Sequence, residues 1–368
     1  MEEAACRRLY SCEDPVKAPP ALATDPEPVI SLHDAPALAA LAREHRTDPQ
    51  HLAKLTRRVL QHGDDFCAAL TSLKTPLPAP LVARLTPGAL ILVKRRDSAR
   101  DGATKLLFQT RAGERIESVL LRARSGRTTL CLSIQSGCAF GCSFCASGAS
   151  GLRARLTLDE VLAQVIHGRQ IAASEGLNLR NLVFMGMGEP LAEEALLHDC
   201  LERLTTATLF GFSPRRVCVS TVGLPEEMVR LAQRFPSVRQ ALSLHSAVAN
   251  ERAALIPVAR EHSLDDLRRA ALEVTRLAGG RILIEYLLLA GRTDRPEDER
   301  ALYAWLDGLS AHLNLIPYNP IWRIADHTPT PHSAALAFAR RCRARGIPTT
   351  LRRSLGTDIS AACGALTP

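Results

Sequence analysis

Between residues 128 and 352, apolar strand-like segments alternate with helical stretches, and this alternation restricts the fold more than any other feature. The strands read at 129–134, 181–184, 216–219, 240–244, 281–289, 314–317 and 348–352, with helices near 157–174, 192–207, 225–234, 264–278, 297–309 and 333–345. Strict alternation of this kind builds parallel β/α units. Six full units fit the α/β class as a partial (β/α)6 TIM-like barrel, with a doubly wound sheet as the alternative. Polar or reactive motifs follow the end of nearly every strand. In a β/α barrel those loops converge on one face, where chemistry is done.

The remainder divides into three further segments. Residues 1–35 form a loose extension rich in Pro, Ala and acidic residues. Residues 36–86 carry helical spacing at Leu52, Leu55, Val59 and Leu60, then Phe66, Leu70 and Leu73, which reads as a small helical domain. Residues 87–127 read as a short antiparallel meander, with strands at 89–93, 105–108 and 117–121 and breaks at Gly102 and Gly113. Residues 128–368 are the barrel with a C-terminal loop. The longest apolar runs, 89–93 and 287–290, fall far short of the roughly 18 residues of a spanning helix. The chain starts Met-Glu-Glu with no apolar run behind it, so a secretory signal and a membrane protein are both set aside and a cytoplasmic location is expected. The net charge of +8 comes from 46 basic residues, of which five are Lys. So Arg-rich a chain suits a polyanion partner and equally suits a compositionally biased genome. The pairs Arg57-Arg58, Arg215-Arg216, Arg340-Arg341 and Arg352-Arg353, with 94–96, are candidate RNA grips. Aromatic residues make up only 4%, which argues against extensive base-stacking platforms.

Eleven cysteines in a chain of this kind do not form a disulfide framework. Three of them, Cys138, Cys142 and Cys145, fall within eight residues in the run Gly-Cys-Ala-Phe-Gly-Cys-Ser-Phe-Cys, directly after the first barrel strand. Three thiolates on a short loop make a soft-metal site. They can hold three irons of a four-iron cluster and leave the fourth iron open. A structural zinc would need a fourth Cys or His nearby, and the first downstream His is His167. Cys67, Cys200, Cys218 and Cys342 occupy apolar positions and read as structural, while Cys6 and Cys12 complete no metal site.

The Cys138-x3-Cys142-x2-Cys145 spacing resembles the radical S-adenosylmethionine (SAM) superfamily, as does the run Phe-Met-Gly-Met-Gly-Glu-Pro at 184–190 after the second strand. Further features resemble the RlmN/Cfr family of radical-SAM RNA methyltransferases, over about residues 115–366. These are Cys131 on the incoming strand, Ser220-Thr221, Ser243-Leu244-His245, the 317–320 run Pro-Tyr-Asn-Pro, and Gly-Thr-Asp-Ile-Ser-Ala-Ala-Cys-Gly-Ala-Leu at 356–366. The resemblance implies a 4Fe-4S cluster on Cys138, Cys142 and Cys145, and SAM held by Gly188, Glu189, Ser220, Ser243, Leu244, His245 and Asn319. It implies that Cys363 takes a methyl group from one SAM. A second SAM is cleaved to a 5′-deoxyadenosyl radical, which removes a hydrogen from that methyl group. The methylene radical then adds to an adenine carbon. That carbon is electrophilic and cannot attack SAM itself. Cys131 then resolves the adduct through a disulfide with Cys363, and Glu117 accepts the proton. On the residues alone, Cys131 also reads as a small core residue, His245 as a core histidine, and Glu117 as an ion-pair partner of Arg115, Arg122 or Arg124.

The implied substrate is adenosine 2503 of 23S rRNA, with adenosine 37 of tRNA as a second candidate and an external flavodoxin-like one-electron donor. The Met-Gly-Glu-Pro run at 187–190 resembles members that methylate C2, whereas 140–145 and the Ser-Pro-Arg-Arg run at 213–216 resemble those that methylate C8; C2 is favoured. Ser360 and Ala365 stand where members commonly carry Asp and Gln. Two other readings remain: a radical-SAM enzyme with another substrate, and a catalytically silent, metal-containing RNA-binding protein.

Overall fold

The computed structural model describes residues 29–123, 125–321 and 327–367. Most of the 1–35 extension, with Cys6, Cys12 and Arg124, lies outside them. The chain begins with β1 (Ile30–Ser31), then α1 (Ala35–Glu44), α2 (Pro49–Arg57), α3 (Phe66–Thr71) and α4 (Ala79–Ala83), and β2 (Leu85–Thr86), which pairs in parallel with β1. The helices start where capping chemistry allows: Asp34, Asp48 and Asp65 each accept a backbone N–H from the first turn.

The meander follows as β3 (Ile91–Asp97), β4 (Ala103–Gln109) and β5 (Arg115–Arg122). The first strand runs further than the apolar pattern predicts, through Lys94, Arg95 and Arg96. It is the outer edge of the sheet and largely exposed, so charged side chains there need no burial and blunt edge-to-edge pairing.

The alternating region contributes β6 (Thr128–Cys131), β7 (Gln135–Gly137), α5 (Ala146–Ala149), β8 (Leu152–Arg155), α6 (Leu158–Ser174), β9 (Leu179–Phe184), α7 (Glu194–Thr205), β10 (Val217–Thr221), α8 (Pro225–Arg234), β11 (Arg239–Ser243), α9 (Ala249–Leu255), α10 (Leu264–Ala278), β12 (Ile282–Leu288), α11 (Pro296–Leu306), β13 (Ala311–Pro317), α12 (His332–Ala344) and β14 (Thr349–Leu351). One sheet has the order β14-β13-β12-β11-β10-β9-β6-β5-β4-β3. From β6 to β14 every pairing is parallel; from β3 to β6 every pairing is antiparallel. The order rises without reversal, so there is no switch point and the doubly wound alternative falls away. The fold is the partial barrel with the meander added to its first strand.

Two further elements depart from the sequence pattern. The first barrel strand stops at Cys131, three residues early, because the chain turns out to form the β7–β8 hairpin. Helix α9, an extra short helix, follows β11.

Strand β12 is buried at all seven positions, as expected for a parallel strand covered on both faces. Helix α6 opens with a capping box between Thr157 and Glu160 and buries Val161, Leu162, Val165 and Ile166 on one face. The same buried core includes Leu41, Leu55 and Leu60 of the helical segment, so apolar packing is continuous from that segment into the barrel. Arg169 of α6 reinforces the join, donating to the carbonyls of Leu60 and Phe210 and lying over the Phe212 ring at 4.3 Å. No helix among the described residues is long and apolar enough to cross a membrane.

Candidate active site

The loop bearing the three cysteines hangs between β7 and β8. Its base is closed by backbone: the Cys138 N–H donates to the Gly151 carbonyl at 3.0 Å. Gly137 has φ +77°, and a Cβ there would lie 1.8 Å from the Gly151 oxygen, so only glycine fits. Cys138, Cys142 and Cys145 all line one cavity at the C-terminal ends of the parallel strands. Burial pushes the Cys138 thiol up to about 11, and raises Cys142 and Cys145 as well. Negative charge on Cys145 and Cys138 raises Cys142 further. Backbone N–H groups oppose this: Phe140 donates to Cys138, and Gly148 and Ser147 donate to Cys145. Three buried cysteines with N–H groups aimed at sulfur suit a thiophilic cluster that each sulfur reaches separately. Among the described residues no three His, Cys, Asp or Glu side chains converge on a single ion.

The turn after β9 is stitched to the chain after β6. The Met187 N–H donates to Ser133 Oγ at 2.8 Å, and the Met187 carbonyl accepts from Ile134 at 2.9 Å. Gln164 of α6 bonds both the N–H and the carbonyl of Ser133, at 2.9 and 2.8 Å. Gly188 has φ +95°, and its missing Cβ would lie 2.6 Å from Gln135 Cβ, so glycine is required here too. Glu189 is 3% exposed and accepts from the N–H groups of Val222 (2.9 Å) and Leu191 (3.1 Å). Burial nevertheless raises its carboxyl to about 7. A raised carboxyl makes the native state hold its proton more tightly than the unfolded chain does. Its stabilisation is therefore full below about 4.5 and lost as pH rises through about 7. Urea unfolding of the metal-free protein should show the wild type losing about 3 kcal/mol relative to Glu189→Gln between pH 4.5 and pH 8. A parallel pair of stability curves would contradict this.

Ser220 and Ser243 close the next wall, their hydroxyl oxygens 3.5 Å apart. His245 has φ +57° and stacks edge-on against Phe144 at 4.7 Å. Its Nδ1 accepts the Leu287 N–H at 3.2 Å, which places the ring proton on Nε2. Burial, then Arg252, lowers its pKa to about 3, so the ring is neutral at any working pH. Asn319 lines the same cavity. Leu244 does not: its side chain is fully buried in the core, and its backbone N–H donates to the Glu285 carbonyl at 3.1 Å.

Cys131 and Cys363 also line this cavity. Burial, then charge on Cys363, pushes the Cys131 thiol up to about 12. Cys363 is exposed on a loop fastened at several points. The Gly364 carbonyl accepts from Ala146 at 2.7 Å, the Leu366 carbonyl from Ser147 Oγ at 2.7 Å, and Asp101 accepts the Gly356 N–H at 2.9 Å. Both thiols are free, so the disulfide implied for the pair is not formed in this structure.

Glu117 is buried beside the cavity rather than in its lining. Its Oε1 meets Lys105 Nζ at 2.8 Å and its Oε2 accepts the Thr367 N–H at 3.1 Å. The expected partners were arginines; the register of β4 against β5 supplies Lys105 instead.

Sequence reasoning missed Glu285, Asn314, Arg252 and the position of Arg352. Glu285 accepts from Asn314 Nδ2 at 2.9 Å and faces Arg352 Nη1 at 3.5 Å. Charge on Cys363, then Glu285, holds the Arg352 guanidinium charged. Arg352 thus lines the cavity and is no surface grip. Its paired-Arg context in the sequence concealed this.

Residues 132–303 match the family described as the Radical SAM superfamily. A radical SAM methyltransferase of known structure from Sphaerobacter thermophilus superposes with a TM-score of 0.84 at 36% identity, over 92% of this chain and 97% of that one. A probable RNA methyltransferase of Rhodopirellula baltica is 43% identical over 89% of this chain and 85% of its own. A probable dual-specificity RNA methyltransferase RlmN of Opitutus terrae is 39% identical over 84% of this chain and 89% of its own. The chain belongs to the RlmN family of radical SAM RNA methyltransferases. It is a radical SAM methyltransferase, and the RlmN relationship gives it RNA as substrate.

Proposed function

We propose that this RlmN-family chain methylates an adenine carbon of adenosine 2503 in 23S rRNA, C2 before C8, and takes adenosine 37 of tRNA as a further substrate. One observation carries the reading: Cys131 and Cys363 share a single cavity with the three-cysteine loop. Methylating an electrophilic carbon needs a carrier thiol and a second thiol to release the product, both within reach of SAM.

A 4Fe-4S cluster on Cys138, Cys142 and Cys145 would hold SAM at its open iron and supply the electron that cleaves it. Glu189, with Gly188 giving close backbone approach, faces the methionine amino group. Ser220, Ser243, Asn319 and the Nε2–H of His245 offer hydrogen bonds to the rest of SAM, and the backbone at Leu244 holds that wall. Cys363 takes the methyl group through its sulfur, in the cavity that Arg352 also lines. The radical adduct loses one electron, which the cluster would accept, and Glu117 takes the proton from the adenine carbon. Cys131 then attacks the Cys363 sulfur: an S–S bond forms, the S–C bond breaks, its electron pair takes up a proton to complete the methyl group, and an external reductant reopens the disulfide. The adenosine enters flipped or unpaired, since its edge is unreachable inside a helix. An external flavodoxin-like donor supplies electrons, and the substrate places the protein in the cytoplasm.

The test is anaerobic reconstitution with iron and sulfide, then incubation with SAM, a reductant and unmodified 23S rRNA. Mass spectrometry of the digested RNA should find 2-methyladenosine. 8-Methyladenosine would move the reaction to the other carbon. Deoxyadenosine without methylated RNA would overturn the substrate while keeping the radical enzyme.

A further inference from the structure

Arg252 of α9 is 1% exposed, the largest fully buried side chain among the described residues. Its Nη1 donates to the carbonyls of Ser243 (3.0 Å) and Leu244 (2.8 Å), and its Nη2 to that of Val222 (2.5 Å). It therefore ties together the chain ends after β10 and β11. Its Nε has no partner, and no carboxylate pairs with it among the described residues. A buried cation answered only by neutral carbonyls is costly unless an anion lies nearby.

The cysteine loop supplies the place for one. Leu255 and Ile256, one turn beyond Arg252, belong to the same buried apolar cluster as Cys142. The Leu255 carbonyl accepts the Ser143 N–H at 3.0 Å, which fixes α9 to the loop. Val222 and Ser243, whose carbonyls Arg252 holds, line the same cavity as the three cysteines.

We propose that Arg252 is the fixed countercharge of the iron–sulfur cluster. It would hold the anionic, thiolate-bound cluster in place and raise its reduction potential, while clamping the SAM-side strand ends. The inference rests on reading Cys138, Cys142 and Cys145 as the cluster ligands. A 4Fe-4S core on three thiolates is a net anion, and accepting one electron from an external donor makes it more negative. A fixed cation beside it therefore favours the reduced form, since net charge is among the factors that set such potentials.

The test compares wild type with Arg252→Gln, which keeps donors for the carbonyls but loses the charge, and Arg252→Lys, which keeps the charge but loses the fork. Arg169→Gln is the control, a buried guanidinium on the accessory side of α6. Each protein is reconstituted anaerobically, its cluster is titrated with redox dyes, and iron release to a chelator is timed. Arg252→Gln should show a more negative midpoint and at least tenfold faster iron release. Arg252→Lys should recover most of both, and Arg169→Gln should match wild type. An Arg252→Gln cluster with wild-type midpoint and release rate would overturn the proposal. If Arg252→Gln does not fold, a folded Arg252→Lys protein that sheds iron tenfold faster overturns it as well. A wild type that binds no iron defeats the cluster reading itself.

Discussion

Cys363→Ala should fold normally and yield no methylated RNA. The side chain is exposed, and its loop is held through backbone groups of Gly364, Leu366 and Thr367 that the substitution leaves intact. The stability change should stay within about 0.5 kcal/mol. The activity change should be total, because an adenine amidine carbon has no lone pair with which to take a methyl group from SAM. Without a carrier thiol there is no polar detour, only uncoupled SAM cleavage to deoxyadenosine. Cys131→Ala should fail at a later stage. The methyl group still reaches Cys363 and the methylene radical still adds to RNA, but the thiol that would displace the product is missing. RNA should then remain covalently attached, visible as a nuclease-sensitive shift on a denaturing gel. Free methylated RNA from Cys131→Ala would remove that cysteine from the mechanism.

Glu117→Gln should lower both stability and rate, and a double variant separates the two. Glu117 and Lys105 are buried together at 2.8 Å. Removing either charge alone strands the other in the interior, at about 3–5 kcal/mol. Removing both, as Lys105→Met with Glu117→Gln, should recover most of that loss, because a neutral pair of similar volume has no charge to desolvate. Methylation should not recover. A base that takes the adenine proton is worth roughly 10²–10⁴ in rate, and Gln cannot supply it. Urea unfolding and single-turnover methylation on the three variants check both halves. A double variant that methylates at the wild-type rate would reduce Glu117 to an anchor for Lys105 and Thr367.

The barrel was legible because its apolar strands alternate with helices, and strands such as β12 are covered on both faces. A run such as Ile282–Leu288, buried throughout, cannot be mistaken for a half-exposed strand. The meander's first strand runs past its apolar segment because an exposed edge imposes no apolar pattern on Lys94, Arg95 and Arg96. The β7–β8 hairpin had little signal: Gln-Ser-Gly is too short and polar to carry a pattern, Leu-Arg-Ala-Arg alternates over only four residues, and the two pair across the long cysteine loop. The cysteine motif and the Met185–Pro190 turn were readable because their chemistry depends on residue type and spacing. Contacts set by strand register were not. Lys105 and Glu117 lie diagonally across β4 and β5, which a sequence cannot show before the register is known. Arg252 was silent for another reason. Its partners are backbone carbonyls, which leave no trace in the residues they belong to.

The central claim is that the methyl group reaches RNA as a one-carbon radical carried by Cys363. Supplying SAM with a fully deuterated methyl group tests it most directly. Activating the methyl group on Cys363 removes one deuterium, and release of the product returns one ordinary hydrogen. The account therefore predicts methyladenosine whose new methyl group carries two deuteriums and one hydrogen. A methyl group that keeps all three deuteriums would mean direct transfer, and would contradict the account at its root.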